Sequence, residues 1–447
     1  GSSAIFGAVS RCWRASGTRA FFVRRLGAPD AYVANSNAAR LCTRVNTRLA
    51  GWSAPRRWWE ASLIGHIWRG LCRALSKSRI IGWAFSDGMQ GLILTILGCY
   101  VCIDWLLRDV LQIALLASVW DELLILFCLF WVVWQRTGRR QPLAIGANPL
   151  DLPVAVFIVV GLVLMSIVDP YPAIQLSGYR ATVQYILWFF LITRLVQNDR
   201  DFMRVYITLC AVAFVLALHG IYQYIVGVPM PQNWVAAAET AVRTRVYSIF
   251  GSPNIMGDFM VLFVPMTVAL AYHTKRPAAQ ACAWLAAIVM CVACLFTMSR
   301  GAWVAMAAAI VTFILLVDRR LFWLLLAAAC VLVLVPFVRT RIGFLFTDDF
   351  VAANTNGGRA GRWENGLSHL ASVNPATGFG LGMFGGAVAM QNQVLDYVQY
   401  FYLDNYYLKT LVETGYLGLS GFIIMLLGMI ATSCRSICRT GAQWKKK

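Results

Sequence analysis

Long apolar runs with almost no charge recur along this chain and constrain its fold more than any other feature. Each run is about 18 to 25 residues long, the length that an α-helix needs to cross the hydrocarbon core of a bilayer. Of the 447 residues, 59% are hydrophobic and 13% are charged, whereas soluble domains contain roughly 25% charged residues. The sequence therefore predicts an all-α polytopic membrane protein with about ten transmembrane helices. The predicted spans are residues 89–107, 111–134, 150–168, 178–196, 203–226, 254–273, 279–298, 301–317, 321–338 and 406–431.

Basic residues in the connections between the predicted spans indicate the orientation. The connections at 136–140, 194–204, 275–276 and 319–320 and both ends of the chain are rich in Lys and Arg, and such connections stay in the cytoplasm. Both termini are therefore predicted to be cytoplasmic. A connection of about 65 residues precedes the last span on the other side, and loops of that length are usually functional. The predicted organisation is a basic N-terminal segment at 1–80, nine transmembrane helices at 81–338, a periplasmic loop at 339–405, and the last helix with a basic tail at 406–447.

The N-terminal segment carries most of the net charge. Residues 1–79 contain 14 basic residues against Asp30 and Glu60, a net charge of +12 out of +19 for the chain. Two interpretations are open: a segment that lies on anionic lipid, or a nucleic-acid-binding segment. Clusters such as Arg56-Arg57-Trp58-Trp59 mix aromatic and basic side chains, as interfacial helices do, and no nucleic-acid-binding motif accompanies them. Membrane lipid is the predicted partner, and nucleic acid is not.

The cysteines do not suggest a disulfide framework or a metal site. Most of the 13 Cys lie inside apolar runs, where Cys behaves as a small hydrophobic residue. None lies in the predicted loop at 339–405. No metal site and no cofactor are predicted.

The predicted topology does not explain the arginines on the outer face, because that face is normally poor in arginine. Pairing with nearby carboxylates is one interpretation. A shared anionic ligand is the other, since a guanidinium donates two parallel hydrogen bonds to phosphate oxygens. At a membrane surface the natural phosphate-bearing ligand is a lipid diphosphate. The arginines concerned are Arg180, Arg243, Arg245, Arg300, Arg339, Arg341, Arg359 and Arg362.

Short motifs in a fixed order follow the same outer segments. They are Gly220-Ile-Tyr-Gln223, Arg245-Val-Tyr-Ser-Ile-Phe-Gly-Ser-Pro-Asn254, Ser299-Arg300-Gly301, Arg359-Ala-Gly-Arg-Trp363, Gly378-Phe-Gly-Leu-Gly382, Asp404-Asn-Tyr-Tyr-Leu408 and Glu413-Thr-Gly-Tyr-Leu-Gly-Leu419. Their order, spacing and position in the loop resemble the O-antigen ligase and polysaccharide polymerase superfamily of bacterial lipid-linked glycan transferases. The resemblance extends over about residues 85–435.

The resemblance implies a reaction, a location and partners. A glycan would pass from undecaprenyl diphosphate to an acceptor hydroxyl at the periplasmic face of the bacterial inner membrane. The acceptor is the lipid A core in ligases and another lipid-linked repeat unit in polymerases. Arg245 and Arg359 are the implied diphosphate ligands. Arg180, Arg300 and Arg362 are further predicted substrate-binding residues. Arg245, Arg300 and Arg359, from three separate outer segments, are predicted to converge on one cavity open to the lipid.

Asp404 is the predicted catalytic residue. Ligases carry a His immediately before the Asn of this motif, and Asp404 occupies that position here. An acceptor hydroxyl needs a base within hydrogen-bonding reach, so Asp404 is predicted to be that base. The alternative is that Asp404 orients one of the arginines. His369 in the loop is a rival base, although a lone His at such a position is more often a surface or packing residue. His219 is interpreted as a packed core residue.

Aromatic residues surround Asp404 in the sequence. Tyr402, Asn405 and Tyr406 are predicted to bind the substrate, with the tyrosines stacking on sugar rings. The alternative for the tyrosines is an aromatic belt at the membrane interface.

Anion transport is the alternative function. A cyanobacterial branch of the same superfamily has been labelled a bicarbonate transport protein, and it too lacks the His. An Arg-rich outer site can bind bicarbonate as well as diphosphate. The long loop favours a glycan, because a small anion does not require it.

Overall fold

The computed structural model describes residues 54–77, 87–138, 150–168, 171–231, 244–318, 321–348, 358–394 and 400–444, with the single residues 44, 234 and 351. Every regular element within these ranges is a helix, which confirms the predicted all-α class. Most of the basic segment predicted at 1–80 lies outside the described residues.

The α-helices follow the predicted spans closely. They are Ala54–Ala61, Leu63–Ser76, Gly88–Gly98, Tyr100–Trp105, Ala114–Gly138, Asp151–Ile167, Pro172–Leu195, Asp199–Val226, Pro253–His273, Pro277–Phe296, Arg300–Leu316, Leu321–Leu334, Pro336–Gly343, Arg359–Leu370, Ala387–Asn392 and Tyr406–Trp444. We call Arg359–Leu370 the loop helix and Tyr406–Trp444 the last helix.

Several helices are long and apolar enough to cross a membrane. Five described helices meet this standard, and a sixth is added if the bent pair Gly88–Gly98 and Tyr100–Val110 forms one span. Two shorter apolar helices, Asp151–Ile167 and Arg300–Leu316, accompany them. The chain is therefore a polytopic membrane protein, and the number of ten spans stays a prediction.

Two predicted spans differ in detail from the structure. The first is broken by a bend of 71° between Gly98 and Tyr100, beside a close contact where a Cβ on Gly98 would lie 2.6 Å from the side chain of Thr208. The ninth ends at Leu334 rather than at 338. A new helix begins at Pro336, because proline lacks the N–H that would continue the previous helix but fits the first position of the next.

The helix Leu63–Ser76 is amphipathic. Leu63, Ile67 and Leu71 are exposed on one side, while Arg69 and Arg73 follow at positions that place them on the opposite side. Apolar and basic faces of this kind are typical of helices that lie in a membrane interface. The lipid-binding role of this segment stays a prediction.

The described residues divide between two compact units. The first unit is drawn from residues 1–66, 125–194 and 359–447, and the second from 67–124 and 195–358. In the second unit, Asp199–Val226 packs against Pro253–His273 and Pro277–Phe296. Its core contains fully buried methionines at positions 256, 260 and 290.

The first unit brings the loop helix to the last helix. The last helix packs against Asp151–Ile167 and against the loop helix, around a core that includes Phe384, Leu403 and Val412. This arrangement fixes the predicted loop segments 359–370 and 378–386 to a membrane-spanning element.

Candidate functional site

The loop helix presents two predicted substrate-binding arginines on one face. The loop helix, Arg359–Leu370, lies within the loop predicted at 339–405, and residues three apart on a helix are neighbours. Arg359 and Arg362 therefore point to the same side. The Arg359 side chain is 56% exposed and the Arg362 side chain is 26% exposed.

Asp404 lies against both arginines. Its Oδ2 is 2.8 Å from Nη1 of Arg362 and 3.9 Å from Nε of Arg359. The Asp404 side chain is 35% exposed, so the cluster is open to a ligand. We call Arg359, Arg362 and Asp404 the loop site. Three of the residues predicted from sequence are thus brought together.

Backbone contacts tie the segment 402–404 to the loop helix. Nη1 of Arg362 donates to the carbonyl of Tyr402 at 2.8 Å, and Nε1 of Trp363 donates to the carbonyl of Leu403 at 3.1 Å. Asp404 has a left-handed backbone conformation, with φ 50°, which Asp tolerates better than most residues. The position of the Asp404 carboxylate is therefore set by the loop helix.

Asn405 and Tyr406 have contacts within the protein. Oδ1 of Asn405 accepts from the backbone N–H of Leu408 at 3.2 Å, so this side chain caps the last helix. The Tyr406 ring packs against Phe422 and lies under the ammonium of Lys409 at 5.7 Å. Tyr402 is exposed. The substrate-binding roles of all three stay predictions.

Arg180 lies on the helix Pro172–Leu195 of the first unit. Its Nε donates to Oε1 of Gln184 at 3.0 Å. The role of Arg180 in binding stays a prediction.

The glycine-rich segment, which we define as residues 378–386, is buried throughout. Gly382 lies against Gly178 so closely that a Cβ on Gly178 would be 2.3 Å from the Gly382 nitrogen. On its other side, the N–H groups of Phe379 and Gly380 donate to the carbonyls of Val412 and Glu413 at 3.0 and 2.8 Å. A segment predicted as part of an outer loop is therefore packed between two helices of the first unit.

The last helix is interrupted at Gly415, and residues 375–378, which lead into the glycine-rich segment, pack against this break. Gly415 has φ 61°, and a Cβ there would lie 2.3 Å from the carbonyl carbon of Ala376. The N–H groups of Tyr416 and Leu417 donate to the carbonyls of Pro375 and Ala376. Irregular backbone within a membrane helix is tolerated where other protein groups satisfy its hydrogen bonds, and that condition is met here.

A buried ion pair lies next to this break. Nζ of Lys409 is 2.7 Å from Oε2 of Glu413, whose side chain is only 2% exposed. Beside the pair is a cavity of about 20 Å³, lined in part by Tyr406, Thr410 and Thr414, which is room for one water molecule. The sequence signal for this pair is two opposite charges four residues apart in an apolar span. The sequence motifs alone assign no function to this ion pair.

Arg245 of the second unit is buried, at 7% exposure. Its Nε donates to the carbonyl of Thr297 at 3.0 Å, Nη1 to the carbonyl of Trp234 at 2.7 Å, and Nη2 to Oδ1 of Asn254 at 3.0 Å. The two ends of the Arg245–Asn254 motif are thus bonded to each other. These contacts make Arg245 a structural residue of its unit, and its implied diphosphate role stays a prediction.

Gln223, at the end of the motif at 220–223, makes three hydrogen bonds to the turn that follows Arg245. Its Oε1 accepts from the N–H groups of Tyr247 and Ser248 at 3.1 and 2.7 Å, and its Nε2 donates to the Ser248 carbonyl at 3.0 Å. His219 adds a contact between Nδ1 and the Ser248 hydroxyl at 3.0 Å. Both residues hold the turn that follows Arg245.

Arg300 is the first residue of the helix Arg300–Leu316. Its guanidinium lies 5.6 Å from the centre of the Phe344 ring. In the same unit, buried Arg341 donates through Nε to the carbonyl of Met298 at 3.2 Å. The binding role of Arg300 stays a prediction.

Residues 285–423 match the protein family described as O-antigen ligase. The family resemblance is confirmed over this segment. No curated protein and no solved structure gives a significant match to the chain.

The O-antigen ligase match includes the loop site. Its range contains Arg300, the loop helix, the glycine-rich segment, Asp404 and the Lys409–Glu413 pair, whereas Arg180 and Arg245 precede it. The loop site is therefore the best-supported candidate site.

His369 and the closely spaced cysteines have apolar surroundings. His369 stands edge-on to the rings of Phe379 and Phe384. Cys99 and Cys102, like Cys291 and Cys294, have a CxxC spacing. The first pair lies at the bend of the broken span and the second inside the helix Pro277–Phe296, and all four thiols are free. Within the described ranges no cluster of three or more His, Cys, Asp or Glu side chains is suited to a metal ion.

Proposed function

We propose that this protein is a membrane glycosyltransferase that moves a glycan from undecaprenyl diphosphate to an acceptor hydroxyl, as a ligase or polymerase of surface polysaccharide. The observation that carries the proposal is the loop site: two partly exposed guanidiniums held by one carboxylate, inside the segment that matches the O-antigen ligase family. The lipid-linked donor follows from the family and from the preference of guanidinium for phosphate oxygens.

The proposed reaction uses the loop site in two ways. The acceptor oxygen forms a bond to the anomeric carbon of the donor sugar, and the bond from that carbon to the diphosphate oxygen breaks. Negative charge grows on the departing diphosphate, so Arg359 and Arg362 stabilise the transition state more than the ground state. Asp404 accepts the hydroxyl proton as general base. No metal or cofactor takes part in this proposal.

The location proposed is the inner membrane of a bacterium, with residues 339–405 periplasmic and both termini cytoplasmic. The basic connections support this orientation. The donor and the growing glycan would then meet the loop site outside the cytoplasm.

A reconstituted transfer assay tests the function. The full chain is placed in liposomes with an undecaprenyl-diphosphate-linked glycan and an acceptor, and the release of undecaprenyl diphosphate is measured. We expect release that depends on both the acceptor and Arg359, with Glu364→Gln, an exposed position on the loop helix, as the matched control. Absence of release together with bicarbonate uptake into the same liposomes would replace the proposal with anion transport.

A further inference from the structure

The Lys409–Glu413 pair has no part in the proposed chemistry, yet it is costly to bury. Glu413 is almost fully enclosed, and an enclosed charge is kept only where it has partners. Lys409 supplies one, at 2.7 Å. The pair lies where the glycine-rich segment meets the break in the last helix. This location indicates a role in holding the segment.

The carboxylate of Glu413 faces the glycine-rich segment. Leu381 of the segment and Glu413 line the same small cavity, and the paired Lys409 packs against the segment, where a Cβ on Gly386 would lie 2.6 Å from its Cε. Oε1 of Glu413 is buried and has no hydrogen-bond partner among the described residues. The Glu413 carbonyl also accepts from the N–H of Gly380. One residue thus meets the segment through both its side chain and its backbone.

The glycine-rich segment in turn contacts the residue that precedes Asp404. The N–H of Leu403 donates to the carbonyl of Gly385 at 3.3 Å, and Leu403 packs in the same core as Phe384. The Leu403 carbonyl accepts from Trp363 of the loop helix. A continuous set of contacts therefore runs from Glu413 through the segment and Leu403 to the loop site.

We propose that Glu413 is a positioning residue: by anchoring the backbone of the glycine-rich segment, it fixes Leu403 and so the distance between Asp404 and the loop arginines. Lys409 holds the Glu413 carboxylate through their ion pair at 2.7 Å and itself packs against Gly386 of the segment. The effect on transfer rests on the proposed function. The effect on backbone order does not.

Amide hydrogen exchange of the full chain in nanodiscs tests the structural part without any substrate. In Glu413→Gln, the amides of Phe379, Gly380 and Leu403 should exchange roughly tenfold faster, the effect of losing a charge-assisted hydrogen bond. Exchange in the helix Asp199–Val226 should not change, and Glu364→Gln is the matched control. Unchanged exchange at Leu403 in Glu413→Gln would overturn the proposal, whatever the outcome of the transfer assay.

A double variant separates anchoring from charge balance. Lys409→Met/Glu413→Leu replaces the pair with apolar side chains, an exchange that is often neutral for folding, and it carries the test if Glu413→Gln does not fold. We expect Leu403 to lose protection and transfer to fall by up to about a hundredfold, the cost of a small misplacement at a reacting group. Wild-type exchange and transfer in this variant would show that Glu413 matters only as the partner of Lys409, and would refute positioning.

The final arm combines Glu413→Gln with Asp404→Asn. If Glu413 acts through the position of Asp404, the combined loss of transfer should be smaller than the product of the two single losses. Independent, multiplicative losses would contradict the proposed route.

Discussion

Arg359 and Arg245 are both implied phosphate ligands, and their surroundings in the structure are opposite. Arg245 is enclosed in its unit and donates to two backbone carbonyls and one amide oxygen. Arg359 is more than half exposed, and its described ion-pair contact, to Asp404, is long at 3.9 Å. A guanidinium that already bonds to carbonyls on three sides holds the protein together, whereas an exposed one retains donors for a ligand. A motif arginine therefore does not by itself identify a binding residue.

The largest effect predicted from this comparison is on stability. Arg245→Ala should lower the free energy of unfolding by about 3–4 kcal/mol, because hydrogen bonds from a charged donor contribute about 1.5–3 kcal/mol each and do not add fully. Chemical unfolding in detergent measures it. Arg359→Ala, at an exposed position, is the control and should leave the unfolding midpoint unchanged. Equal midpoints for the two variants would break the comparison.

Asp404→Asn should have the next largest effect. The substitution is nearly isosteric, and Asn tolerates the left-handed backbone that Asp404 adopts. If Asp404 is the base, transfer should fall by about a hundredfold or more while donor affinity is unchanged. If Asp404 only orients Arg362, donor affinity should fall together with transfer. Transfer and affinity both close to wild type would exclude each role.

The fold was largely predictable from sequence because helix period and lipid leave few choices. Uninterrupted apolar runs located Pro253–His273 and Pro277–Phe296 within a few residues, since only helices satisfy their own backbone in lipid. The bend after Gly98 was not predictable, because the contact beside it is with Thr208, about a hundred residues further along the chain. A local sequence pattern does not show which distant residue a glycine will contact.

The candidate site was predictable in part. The motif spacing identified Arg359, Arg362 and Asp404, and the structure brings these three together. The motif spacing did not indicate that the glycine-rich segment is buried, since glycine is equally common in exposed turns and in close backbone packing. Nor did it distinguish Arg245 from Arg359, because enclosure depends on carbonyls that Thr297 and Trp234 present from elsewhere in the chain.

The central claim is that the exposed loop arginines bind the donor diphosphate, and donor affinity of Arg359→Ala tests it most directly. The dissociation constant of an undecaprenyl-diphosphate-linked glycan is measured on wild type, Arg359→Ala, Arg359→Lys and the control Glu364→Gln in the same nanodiscs. We predict a tenfold to hundredfold weaker affinity for Arg359→Ala, the loss of one charge-assisted contact of about 1.5–3 kcal/mol. Arg359→Lys should recover part of it, because lysine keeps the charge but not the two-pronged geometry. Wild-type affinity in Arg359→Ala would contradict the claim.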